Sequence, residues 1–129
     1  MNTSSNHDQK KSSDAGPLFK LRKQLRRFAR ERDWEQFHVP KHLAIALSVE
    51  AAELLEHFQW LSESESQNLT EEQLEQVREE IADVLLYLVR LADKLDVDLI
   101  DVATSKIKLN AQKYPVDKSR GMNKKHTKL

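Results

Sequence analysis

Cysteine is absent from the 129-residue chain, which excludes a disulfide framework, a thiolate nucleophile and a zinc-thiolate site. Only two glycines and three prolines punctuate it, and no stretch alternates β-branched residues, so strands have little support. No apolar run approaches bilayer-spanning length, and Met1 to Gly16, rich in Ser, Asn, Asp and Lys, lacks the apolar centre of a secretory signal. An excess charge of one sign is missing too. Lys and Arg number 21 against 21 Asp and Glu, which argues against a coat for nucleic-acid polymers. These absences point to a cytoplasmic protein with neither a membrane nor a nucleic-acid polymer as partner.

What remains is helical. Pro17 suits a first helical turn, and Leu18, Leu21, Leu25 and Phe28 follow at helical spacing, ending near Arg32. Asp33 to Pro40 is a connection, unusually aromatic in carrying Trp34, Phe37 and His38. Lys41 to Leu61 forms a second helix with Leu43, Leu47, Leu54 and Phe58 on one stripe, and the polar run Ser62 to Leu69 breaks it. Thr70 and Gln73 form a capping-box pattern that opens the longest helix, through Leu74, Val77, Ile81, Val84, Leu88, Leu91 and Leu95. Asp98 caps a fourth helix through Ile100, Ala103, Ile107 and Ala111, which Pro115 stops. The expected organisation is a disordered tail over 1–16, an all-α, four-helix bundle-like catalytic domain over 17–115, and a basic extension over 116–129. That extension carries Lys118, Arg120, Lys124, Lys125 and Lys128. With 33% of its residues charged, so small a chain has little apolar surface for a core of its own, and a homo-oligomer is expected.

Two acidic pairs stand out. Glu50 and Glu53 are three apart on the second helix, Glu80 and Asp83 three apart on the third, so each pair shares a face. Either pair alone reads as an ordinary solvated face. Both, however, are embedded in apolar runs: Leu47, Val49, Ala51, Ala52 and Leu54 around one, Ile81, Ala82, Val84 and Leu85 around the other. Four converging carboxylates in such surroundings would be strongly unfavourable without a cation. Oxygen-only ligands favour Mg²⁺, or Mn²⁺, over zinc.

Trp60 falls within roughly 80° of Glu50 in helical projection, and Tyr87 lies between Glu80 and Asp83 in angle. Either ring could stack on a base or fill a core. His57 lies on the same stripe and reads as a helix-end histidine. Lys106, Asn110, Lys113 and Tyr114 can share one side of the fourth helix, where cations and an amide suit phosphate and sugar oxygens.

The run Ser48-Val49-Glu50-Ala51-Ala52-Glu53, with Glu79-Glu80-Ile81-Ala82-Asp83 after an interval, resembles the E-x-x-E and E-x-x-D metal motif of the all-α MazG-type nucleotide pyrophosphohydrolases. Arg32 to His38, Phe58-Gln59-Trp60, Asp83 to Leu88 and Lys113 to Val116 resemble the dCTP pyrophosphatase branch in particular. The resemblance spans roughly Leu18 to Leu129.

It implies Mg²⁺-dependent hydrolysis of a dNTP, dCTP or a modified dCTP, to the monophosphate and pyrophosphate, in the service of nucleotide pool cleansing. Glu50, Glu53, Glu80 and Asp83 match the family's metal ligands. Trp34, Phe37, His38, Trp60 and Tyr87 match positions enclosing base and sugar, and Lys106, Asn110 and Tyr114 match the substrate-facing part of the last helix. It also implies a homotetramer. Val49 stands where many members carry glutamate, and Leu25 where the animal dCTP enzymes carry histidine.

Three rivals remain open from the residues. One is a pyrophosphohydrolase of broader or different base preference. Another is a di-iron bundle, for which only Glu35-x-x-His38 offers the required unit. The last is a non-catalytic helical interaction module.

Overall fold

Most helices begin at a residue that stabilises helix starts, and the computed structural model, which describes residues 16–123, follows this punctuation closely. Pro17 occupies the first turn of α1 (Pro17–Glu31). The chain then reverses at Asp33, whose φ of 52° lies in the left-handed region. The Trp34 N–H donates back to the Ala29 carbonyl at 2.9 Å. A single 3₁₀ turn, Glu35–Phe37, follows within the expected connection. Val39 is extended, as a residue before proline must be, and Pro40 opens α2 (Pro40–Glu56).

The second helix is shorter than expected. Beyond Glu56 the bonds tighten, with Phe58 N–H donating to the Leu55 carbonyl and Leu61 N–H to that of Phe58, both at 2.9 Å. His57, Phe58 and Trp60 are weaker helix formers than the Leu, Ala and Glu before them. The polar break over Ser62 to Leu69 also differs from expectation, for it holds a short helix, α3 (Glu63–Gln67), with its own capping box. There the Glu65 N–H donates to Ser62 Oγ at 3.1 Å and the Ser62 N–H to Glu65 Oε1 at 3.0 Å.

The long helix α4 (Glu71–Lys94) starts from the Thr70 and Gln73 capping box as expected. It ends at Leu95, followed by Asp96 at φ 54°. Asp98 Oδ1 accepts from the Asp101 N–H at 3.0 Å and so caps α5 (Leu99–Lys113). Pro115 then precedes a single turn, α6 (Val116–Ser119). The expectation of an all-α protein is met: no strand occurs among the described residues. Expectations placed on residues 1–15 and on Lys124, Lys125 and Lys128 lie outside them.

Contacts divide the chain into two compact units, up to Asp96 and from Val97. In the first, α4 runs alongside α2 and also touches α1. Its buried apolar residues are few: Ala29, Leu43, Val77, Val89 and Ala92. Leu43 is the largest side chain fully enclosed, and burying it contributes on the order of 2 kcal/mol. Exposed apolar residues are more numerous, among them Ile45, Val49 and Leu55 of α2 and Ile81, Leu85 and Leu88 of α4. In the second unit α5 exposes Ile100, Val102, Ile107 and Leu109. So small an enclosed core is what the high charge content predicts for a chain of this length.

Candidate metal centre

Because α2 and α4 pack side by side, their acidic pairs can meet. One carboxylate oxygen each of Glu50, Glu80 and Asp83 lies within 4.8 Å of the other two. Glu53 stays outside this trio, but with Glu80 and Asp83 it acts on Glu50. Burial, then hydrogen-bond contact with Glu80 and Glu53, then the charges of Glu53 and Asp83, push the Glu50 carboxyl up to about 7. His57 Nε2 stands 3.9 Å from Glu80 Oε1.

Two carboxylate oxygens here, Glu50 Oε2 and Glu80 Oε2, are buried, and no N–H or hydroxyl group donates a hydrogen bond to either atom. Leaving an anionic oxygen so placed costs several kcal/mol, and a cation removes that cost. The donor set is oxygen alone, which suits a hard divalent ion such as Mg²⁺ or Mn²⁺. These residues therefore fit a metal, and Glu50, Glu80 and Asp83 are the ones placed to hold it.

Comparison with known proteins identifies the family. Residues 45–129, which include all four acids, match the MazG-like family. This chain belongs to the MazG-like family. Among its relatives it is 43% identical over 134 residues to the dCTP pyrophosphatase 1 of Rattus norvegicus, covering 96% of this chain and 79% of that protein. To the dCTP pyrophosphatase 1 of Mus musculus it is 48% identical over 104 residues, covering 79% of this chain. The matched region spans only 61% of the mouse protein. Among solved structures, a pyrophosphatase from Archaeoglobus fulgidus superposes with a TM-score of 0.73 at 42% identity, covering 78% of this chain and 94% of that one.

The aromatic and polar residues singled out in the sequence are distributed unevenly. Trp34 packs edge-on against Phe28, ring centroids 5.6 Å apart, and meets His38 at 6.4 Å in the same manner. The Arg32 guanidinium lies 3.6 Å over the Phe28 ring. Phe37 is exposed and Tyr87 half-buried. Trp60 is 86% exposed, too open for a core-filling ring in the single chain. In the second unit, Lys106 and Asn110 are exposed and Tyr114 is half-buried at the helix end.

A polar network that sequence reasoning missed ties the aromatic turn to α4. Arg26 grips Asp93 with two bonds, Nε to Oδ2 at 2.7 Å and a terminal nitrogen to Oδ1 at 2.5 Å. Arg90, only 4% exposed, donates to Asp93 Oδ2 and Glu35 Oε1, each at 3.4 Å, and through Nε to His38 Nδ1 at 3.1 Å. Burial alone would raise the Asp93 carboxyl, but the Arg26 hydrogen bonds and the charges of Arg26, Arg22 and Arg90 outweigh it and hold it below the usual carboxylate range. His38 moves down from the imidazole range, through burial first and then the Arg90 and Lys94 charges, with Glu35 opposing. The one sequence signal of this network is the i,i+3 pair Arg90 and Asp93, set among Val89, Leu91 and Ala92.

Proposed function

We propose that this chain is a Mg²⁺-dependent nucleoside triphosphate pyrophosphohydrolase that converts dCTP, or a modified dCTP, to the monophosphate and pyrophosphate. The observation that carries the reading is the carboxylate trio with its two buried oxygens to which no N–H or hydroxyl group donates. The names of the rat and mouse relatives support the choice of substrate.

Glu50, Glu80 and Asp83 would hold the ion, which when bound supplies charge neutralisation for the phosphates and a more acidic water. Glu53, beside the trio and not part of it, accepts a proton from the attacking water and orients it for in-line displacement at phosphorus. The exposed ring of Trp60 offers a stacking face for a base. Trp34, Phe37, His38 and Tyr87 complete the base and sugar enclosure, and Lys106, Asn110 and Tyr114 supply cationic and polar contacts to phosphate and sugar oxygens.

The working form is a homo-oligomer, a tetramer, in the cytoplasm. Its support is the breadth of exposed apolar surface on α2, α4 and α5. No helix among the described residues is long and apolar enough to cross a membrane.

A panel of nucleoside triphosphates with Mg²⁺, scored for pyrophosphate and monophosphate, tests the reading. Release of pyrophosphate from dCTP is expected, with a drop of roughly a hundredfold or more in Asp83→Asn and the helical fold retained. Full turnover in that variant would refute the assignment of the centre. Orthophosphate as the product would refute the reaction.

A further inference from the structure

We infer that Arg90 is a positioning residue whose guanidinium holds His38 as a fixed Nε2–H donor facing the nucleotide. What that donor meets rests on the proposed pyrophosphohydrolase reading. How it is held does not.

A guanidinium keeps its protons at any ordinary pH. The contact from Arg90 Nε to His38 Nδ1 at 3.1 Å therefore needs a lone pair on Nδ1, and the single ring proton must sit on Nε2. Turning the ring over would set a C–H against the same donor. A second proton on the ring would aim an N–H at a cation, and the charge of Lys94 opposes it as well, while Glu35 alone favours it.

The donor is itself fixed. Arg90 is anchored by Asp93 on its own helix and by Glu35 in the 3₁₀ turn, and Asp93 is held by the two bonds from Arg26 of α1. Trp34 stands edge-on to the imidazole at 6.4 Å. Three segments thus converge to orient one ring.

Its position along α4 matters. Arg90 follows Asp83 by two helical turns, roughly 10 Å along the axis, and Tyr87 stands between them on the same face. His38 is tied to the stripe that begins at the acidic centre, at a separation that a nucleoside triphosphate can span. A ring frozen in this tautomer can only donate at Nε2. It selects an acceptor on the nucleotide, a carbonyl oxygen, a ring nitrogen or a sugar oxygen, and disfavours a group that presents its own donor.

The test uses the full-length protein with ¹⁵N-labelled histidine, the His38 signals being assigned by their loss in His38→Gln. In the unmodified protein His38 is expected to show a protonated Nε2 and bare Nδ1 across roughly pH 6–8. In Arg90→Met both tautomers should appear, and KM for dCTP should rise roughly five- to tenfold with kcat nearly unchanged. A protonated Nδ1 in the unmodified protein overturns the inference, as does an unaltered KM in a variant whose His38 has lost the single tautomer. Should Arg90→Met fail to fold, Arg90→Lys takes its place: it keeps a cation for Asp93 and Glu35 but not the fork that aims a donor at the ring. An unmodified protein that hydrolyses no triphosphate refutes the proposed function, and the tautomer measurement then still decides the Arg90 contact by itself.

Discussion

Replacing Glu50 by Gln removes a charge that the fold accommodates poorly and that the proposed metal ion would need. The carboxyl is raised from 4.5 to about 7, which corresponds to at most roughly 3 kcal/mol of unfavourable interaction in the ionised state. Partial exposure and sharing of the proton with neighbouring acids reduce this to about 1–2 kcal/mol. Below pH 4.5 Glu50 is protonated in both folded and unfolded chains and contributes no difference. Between there and about pH 7 the folded chain retains a proton that the unfolded chain has released, so stability falls as pH rises through that window. Above it the penalty is complete.

Glu50→Gln in chelator should therefore melt roughly 5–10 °C higher than the parent near pH 8, and the gap should close toward pH 4.5. Adding Mg²⁺ should raise the parent's Tm, by about 2.7 kcal/mol of stabilisation at a hundred times Kd, and leave the variant's almost unmoved. Thermal melts followed by circular dichroism at several pH values, with and without Mg²⁺, measure all of this. A variant that melts at or below the parent near pH 8 without metal would refute the account of Glu50 as a strained, ion-awaiting carboxylate.

Asp93→Ala should cost about 3–5 kcal/mol in urea unfolding, because it strips the buried Arg90 and its neighbour Arg26 of their shared carboxylate. Since the Asp93 carboxyl is held below its ordinary value of 3.8, its contribution is present above that value and is lost as pH falls through the lower folded one, so acid unfolding of the parent should reveal it. Asp96→Gly should stabilise by about 0.5–1 kcal/mol by relieving a left-handed backbone, and Asp96→Ala should not. Trp60, 86% exposed, should change its fluorescence when dCTP and Mg²⁺ bind, and in Trp60→Phe that response should shrink to the part that Trp34, the second tryptophan of the chain, contributes. An unchanged emission in the parent at saturating nucleotide would remove Trp60 from the base site.

Most helix starts were legible because the residues that mark them act locally. Pro17, Pro40, Thr70 with Gln73, and Asp98 each stabilise a first turn through their own side chains. Ser62 and Glu65 carry the same signature, yet a reading led by apolar periodicity passes over α3, which has almost no apolar residue to repeat. The acidic pairs were legible from spacing and apolar company. Which oxygens come together was not, since that depends on how α2 and α4 are rotated against each other. The Arg26, Asp93, Arg90 and Glu35 network joins positions 67 and 55 residues apart, and no local pattern announces a partner at that distance.

The capping box at Thr70 does more than start a helix. It sets the residue from which every later turn of α4 is counted, and with it the bearing of Glu80 and Asp83 relative to the helix start. A single residue inserted between Thr70 and Glu80 would swing both carboxylates by about 100°, whereas one inserted among the turns from His57 to Leu61 would leave that bearing intact. An insertion in the first turns of the long helix should therefore either misplace the two carboxylates or forfeit the cap, worth about 1 kcal/mol, whereas one in the approach to it should do neither.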